Sequence, residues 1–188
     1  MRLWRISSFA NLTGEGGLIV PGRWHSRGRK VVYVGDHAAS TMLEMLVHFD
    51  ISAKDVPDTY QLLAIDVPDD INFGAIGVDE LPPNWLNNSA DTREIGDRWL
   101  AENRRALLRV PSAIVPAAFN WLLNPTHPDA ARIKISEIIQ APFDPRLLRR
   151  PTPAETPSRR GRVQPGRGRN PRPSGARGRR RKRKPSPA

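Results

Sequence analysis

Every Trp, Phe and Tyr of the chain falls before residue 149, and beyond that point the only large aliphatic side chain is Val163. This asymmetry limits what can fold. A segment without aromatics or a set of branched aliphatics cannot bury enough apolar area to offset the conformational entropy of its backbone, so residues 149–188 are expected to be disordered. Residues 1–148 carry the core, and that length suits one domain around one core. Charge divides at the same place. The formal net charge of +11 comes from 30 Lys and Arg against 19 Asp and Glu, and 15 of the basic residues but only Glu155 among the acids lie in 149–188. The first 148 residues therefore hold 15 basic and 18 acidic side chains, a net of −3, so the folding part is mildly acidic.

The absence of cysteine excludes a disulfide framework, a thiolate metal site and a cysteine nucleophile. The four histidines show no ligand spacing such as His-Glu-x-x-His, so no metal is expected. No apolar run is long enough for a membrane span, and the first residues lack the basic-then-apolar order of a signal peptide. The expectation is a soluble, cytoplasmic protein without membrane contact.

Periodicity predicts a short strand at Leu3–Ile6, a glycine-rich loop over Asn11–Gly17, and a β-branched and aromatic strand at Lys30–Val34. The Gly14-Glu15-Gly16-Gly17 cluster fails the dinucleotide fingerprint, because Ile19 stands at the third glycine position. Asp36 is placed to cap a helix through Phe49, with Met42, Leu43, Leu46 and Val47 toward the core and His37, Ser40, Glu44 and His48 on another stripe. Tyr60–Val67 reads as a strand and Pro82–Asn88 as a loop. A helical pattern runs from Thr92 to Arg109, capped by Asp91 or Thr92, and extended pieces follow at Ser112–Val115, Phe119–Leu123 and Arg132–Ser136. Strands outnumber helices at spacings too irregular for repeated βαβ units, which predicts an α+β domain.

Six blocks then fall in a particular order: Gly22-Arg23-Trp24-His25-Ser26-Arg27-Gly28, Val32-Tyr33, Leu43-Glu44, Gly96-Asp97-Arg98-Trp99, Val110-Pro111-Ser112 and Asn124-Pro125-Thr126-His127-Pro128. Together they resemble the RES domain, from Trp4-Arg5 to about Leu147. The Arg, Glu and Ser that give that family its name correspond here to Arg23, Glu44 and Ser112. The resemblance implies a mixed sheet core with flanking helices, similar to ADP-ribosyltransferase toxins. It also implies the toxin half of a bacterial toxin-antitoxin pair with an Xre-type helix-turn-helix antitoxin, and depletion of NAD by hydrolysis or, with phosphate as co-substrate, phosphorolysis. NAD is then the substrate and no cofactor is required. Arg5 and Tyr33 are implied to line the NAD pocket. The chain departs from the family pattern at His25, where Asn usually follows the Arg-Trp pair.

The residue types suit that chemistry. Planar guanidinium groups bind phosphate oxygens through paired charge-assisted hydrogen bonds, which makes Arg5 and Arg23 a pyrophosphate clamp. Tyr33 offers a flat face for nicotinamide and a hydroxyl for one polar contact. Cleaving the nicotinamide–ribose bond builds oxocarbenium character, which the carboxylate of Glu44 would stabilise. Ser112 is expected to hydrogen-bond a ribose or the carboxamide rather than attack, since Val110-Pro111-Ser112-Ala113 is not a Gly-x-Ser-x-Gly elbow. Asn120 and Asn124 are weaker pocket candidates, Asn120 taken as an NAD contact, while loop structure explains Asn124-Pro125 equally well. Taken singly, each has an ordinary explanation: a surface arginine, a core tyrosine, a helix glutamate paired with His48, a turn serine. Two other functions stay open, protein ADP-ribosylation and a non-catalytic role in which the run Arg179–Lys184 contacts nucleic acid through phosphates without sequence preference.

Overall fold

The computed structural model describes residues 1–48 and 59–148. Phe49, the side chain of His48 and the segment 149–188 lie outside the described residues, and with them the expected Glu44–His48 pair and the expected disorder of the basic segment.

Seven strands form one mixed sheet in the order β4-β5-β6-β2-β1-β3-β7. They are β1 (Arg2–Ile6), β2 (Val32–Gly35), β3 (Thr59–Asp66), β4 (Phe73–Ala75), β5 (Leu107–Pro111), β6 (Phe119–Leu123) and β7 (Lys134–Pro142). Neighbours run antiparallel except β4 and β5, which are parallel. Successive side chains on a strand point to opposite faces. Leu107, Trp121 and Leu123 therefore join Leu3, Val32, Val34, Leu63 and Ile65 in one buried cluster, while Leu108, Val110 and Leu122 join Trp24, Trp85 and Leu100 in another. Burial on both faces explains the unbroken apolar run of Leu107-Leu108.

Three α-helices flank the sheet, α1 (Gly16–Ile19), α2 (Ala38–His48) and α3 (Ser89–Glu102). With one mixed sheet they make the α+β architecture that the pattern predicted.

Several expectations need correction. The last two residues of the expected Asn11–Gly17 loop, Gly16 and Gly17, open the short helix α1. His37, not Asp36, caps α2, its Nδ1 accepting the Ala39 N–H at 3.1 Å. Leu43 and Val47 are exposed, at 46% and 61%, because α2 meets the sheet through another stripe, where the Thr41 hydroxyl reaches the Trp4 carbonyl. Helix α3 starts after Asn88, whose side chain accepts the Ala90 N–H, and ends at Glu102, where Asn103 adopts the left-handed conformation (φ 48°) that stops a helix. Leu107–Arg109 is strand, not helix. Ser112–Val115 is a turn rather than an extended piece, and β4 had no counterpart in the sequence reading.

One feature of the sheet positions the cleft. The central strands β1 and β2 pair at a single register, Trp4 opposite Gly35, whereas β1 pairs with β3 over five residues and β2 with β6 over four. Beyond Trp4 the two strands part. Arg5 and Ile6 on one side and Tyr33 and Val34 on the other border a cleft of about 750 Å³.

Candidate functional site

Two walls bound the cleft. The first is the turn Gly22–Gly28 with α1 behind it; the second is α2 with the turn after β5.

The turn is held by α3. Thr92, Arg93, Gly96 and Asp97 share one helix face, since separations of one, four and five residues recur on adjoining sides of a turn of helix. The buried Thr92 hydroxyl donates to the Arg23 carbonyl at 2.7 Å, and Arg93 Nε donates to the Gly22 carbonyl at 2.8 Å. Asp97 Oδ1 accepts the Ser26 N–H at 2.9 Å and pairs with Arg29 Nε at 3.0 Å. Gly96 lets the helix close on the turn, because a Cβ there would collide with the Trp24 carbonyl. The Gly96-Asp97 block is thus a clamp on the turn that carries Arg23. Sequence reasoning saw the block but not this purpose, for which the only signal was the helical spacing.

Within the turn, Arg23 donates from Nη1 to the Trp85 carbonyl (3.0 Å) and from Nη2 to the Leu86 carbonyl (3.2 Å), with its guanidinium 6.0 Å from the centre of the Trp85 ring. Arg5 donates to the Asn11 carbonyl at 2.7 Å, and burial lowers its pKa from the usual value. Neither arginine makes an ion pair among the described residues. Two cations line one cleft, neither paired with an anion among the described residues, an arrangement that favours an anionic ligand.

His25 is buried at the back of the turn, 3% exposed. Its Nδ1 lies 3.1 Å from the Gly22 amide and 2.9 Å from the Tyr33 hydroxyl, and its Nε2 lies 3.1 Å from the Val20 carbonyl. Burial lowers the His25 pKa and raises that of the Tyr33 phenol. The Tyr33 hydroxyl also accepts the Trp24 N–H at 3.0 Å. The expected polar contact from this hydroxyl to a ligand is therefore corrected: it is committed to the protein. The rest of the side chain still lines the cleft.

On the second wall, Glu44 projects from α2 into the cleft. Its Oε1 accepts the Ser112 hydroxyl and the Asn120 side-chain N–H, each at 2.7 Å. No described residue donates to Oε2. Ser112 Oγ accepts the Ile114 and Val115 amides at 3.1 and 3.0 Å. A hydroxyl has one proton and two lone pairs, so Ser112 is saturated. It does not border the cleft, and the expectation that it touches a ribose or carboxamide gives way to a role in holding Glu44. Asn120 borders the cleft but also spends an N–H on Glu44.

Asn124 is elsewhere. It is 1% exposed, donates to Asn103 Oδ1 at 2.8 Å and accepts from the Thr126 amide and hydroxyl, so it fastens the β6–β7 connection to the end of α3. His127 Nδ1 accepts the Asp129 N–H, opening the short helical turn that follows. No group of three or more His, Asp or Glu among the described residues is arranged to hold a metal ion, and no described helix is long and apolar enough to cross a membrane.

The structure thus brings Arg5, Arg23, Tyr33, Glu44 and Asn120 to one cleft, with Ser112 directly behind Glu44. Sequence reasoning missed the lining supplied by Val20, Thr41, Met45 and Ile114. Small and apolar residues carry no chemical signature that would have marked them.

Comparison with known proteins agrees with this architecture. The chain is 46% identical over 135 residues to a protein called Toxin Res from Pseudomonas putida, covering 72% of this chain and 92% of that one. It is 36% identical over 157 residues to the Prs ADP-ribosylating toxin of a Sphingobium species, covering 78% and 96% respectively. Among solved structures, the toxin-antitoxin complex MbcT-MbcA of M. tuberculosis contains a chain of similar fold, with a TM-score of 0.62 at 16% identity over 78% of this chain and 85% of that one. The family model described as the RES domain matches residues 2–144, and the chain belongs to that family.

Proposed function

We propose that this protein is a RES-type toxin that consumes NAD by breaking the bond between nicotinamide and ribose. The observation that carries the reading is the cleft itself: Glu44 held from one carboxylate oxygen, with two arginines free of ion pairs among the described residues along the same lining. The relatives' toxin names support the biological half.

In this reading Arg5 and Arg23 take the pyrophosphate, and their charge is preorganised because burial and backbone carbonyls already orient them. Tyr33 packs against nicotinamide. As the glycosidic C–N bond breaks, its electron pair leaves with nicotinamide and positive charge develops on the ribose. Glu44 stabilises that charge through Oε2, while Ser112 and Asn120 keep the carboxylate from turning away. Water then adds to the anomeric carbon and loses a proton, giving ADP-ribose; phosphate in its place gives ADP-ribose phosphate.

A second reading is transfer of ADP-ribose to a protein, favoured by the 36% identical relative named an ADP-ribosylating toxin. The fold likeness to a chain from a toxin-antitoxin complex supports an antitoxin partner, which we take to be of the Xre helix-turn-helix type. Incubating the folded, partner-free protein with labelled NAD separates these readings. Release of nicotinamide is expected, with ADP-ribose alone in phosphate-free buffer and a second, phosphorylated product if phosphate is the acceptor. Label on protein instead would favour transfer, and unchanged NAD in both buffers would overturn the proposal. Deleting residues 149–188 tests the remaining alternative: NAD consumption persists while any binding to nucleic acid through the basic run is lost.

A further inference from the structure

We propose that His25 is a positioning residue, one that fastens the Val20 end of the cleft wall to the Arg23 turn and fixes Tyr33 in place. The inference rests on the reading of this cleft as the NAD site.

The hydrogen-bond pattern fixes the form of the imidazole. The Val20 carbonyl can only accept, and it lies 3.1 Å from Nε2, so in the neutral ring Nδ1 carries no proton and faces the Tyr33 hydroxyl and the Gly22 amide, which it shares with the His25 carbonyl. The proton is on Nε2, which donates to the Val20 carbonyl. Tyr33 then donates its hydroxyl proton to Nδ1 and accepts from the Trp24 amide, and every polar atom of the pair is used. Space is as specific as bonding. A Cβ on Gly22 would sit against both the ring and the Tyr33 hydroxyl, so that glycine leaves room for this side chain; on Gly17 a Cβ would collide first with the Arg29 carbonyl and only then approach Nε2.

The consequence falls on α1, which at four residues is too short to persist unaided. The Gly17 carbonyl near its start is tied to the Gly28 amide. Its far end has the His25 bond at Val20, beyond which Pro21 has no amide to donate. Val20 borders the cleft, its side chain is largely open to solvent and its amide bonds back to Gly16 within α1, so the His25 bond is the one that ties this lip to the Arg23 turn. An Asn at this position would offer an acceptor where Nδ1 lies but no donor that reaches Val20, so His25 adds one tether to the wall.

Two substitutions separate the ring's two nitrogens. His25→Asn keeps an acceptor for Gly22 and Tyr33 and loses the donor to Val20; His25→Gln keeps a donor near Nε2 and loses the acceptor. His25→Asn is expected to raise the KM for NAD roughly tenfold with kcat within about twofold, the effect of ordering a short loop at the moment of binding. His25→Gln is expected to release Tyr33 and lower kcat/KM further. Folded variants with KM and kcat equal to the unaltered chain would overturn the proposal. Nitrogen NMR of the unaltered chain near pH 7 supplies a readout that needs neither turnover nor a variant. A neutral ring protonated on Nε2 is expected, and a proton on Nδ1 would overturn the geometry. Should the unaltered chain consume no NAD while this tautomer is found, the functional reading fails and the tether stands.

Discussion

The two walls of the cleft are built by opposite means. The Arg23 turn is fixed through its backbone: α3 reaches the Gly22 and Arg23 carbonyls and the Ser26 amide, and His25 ties Gly22 to Val20 and Tyr33. The α2 wall is loose by comparison. No residue from Ala38 to Val47 is fully buried, Leu43 and Val47 face solvent, and Glu44 owes its orientation to two side-chain hydrogen bonds from another part of the sheet. On the roles proposed above, a binding group on a rigid, over-determined turn and a reacting carboxylate on a separately steered side chain imply a division of labour. Damage to the first wall should appear in stability and affinity. Damage around Glu44 should appear in rate.

The largest effect should come from Glu44→Gln, which keeps the shape but removes the charge. A loss in kcat of about a hundredfold to a thousandfold is expected from nicotinamide release, by the measure of other preorganised electrostatic stabilisers, with the melting temperature little changed. Next is Gly96→Ala on the other wall. The added methyl must push α3 off the Trp24 carbonyl, and a destabilisation of about 1–3 kcal/mol is expected by denaturant titration. An unchanged midpoint would show that the clamp is softer than described. Ser112→Ala should lower kcat about tenfold, since Glu44 loses one of two donors and the Ile114 and Val115 amides lose an acceptor. A change in KM alone would instead place Ser112 in contact with substrate.

The smallest effect concerns pH. Burial lowers the His25 pKa below its unfolded value of about 6.5, so between the two values the unfolded chain binds more protons. The stability this provides is present above about pH 6.5 and is lost as pH falls through the folded value. Asp97 and Arg93 act on His25 in opposite directions, Asp97 raising and Arg93 lowering its pKa. The melting temperature should fall on acidification, and by less in His25→Asn. An equal fall in both would assign the acid sensitivity to other groups.

What the sequence disclosed follows the same division. Side chains with distinctive chemistry, Arg5, Arg23, Tyr33 and Glu44, were legible and do meet in one cleft. Their partners were less so. Ser112 and Tyr33 were read as ligand contacts, yet their hydroxyls are used up within the protein, which depends on backbone atoms brought in by tertiary structure. For the elements, strands β1, β2, β3 and β6 were visible because their apolar content and bounding turns agree locally. The end of α3 was not, because Leu107 fits a helical stripe as well as a doubly buried strand. The stop comes from a left-handed Asn103 fastened by Asn124, twenty-one residues away.

Calorimetric titration of NAD into Glu44→Gln and Arg23→Ala separates binding by the arginines from reaction at Glu44. Glu44→Gln is expected to bind NAD within about threefold of the unaltered affinity while turning it over at least about a hundredfold more slowly, because the contribution of Glu44 belongs to the transition state. Arg23→Ala should lose tenfold or more in affinity, as expected for a charge-assisted phosphate contact. The contrary result, Glu44→Gln losing affinity as steeply as rate while Arg23→Ala binds normally, would reverse the roles of the two walls.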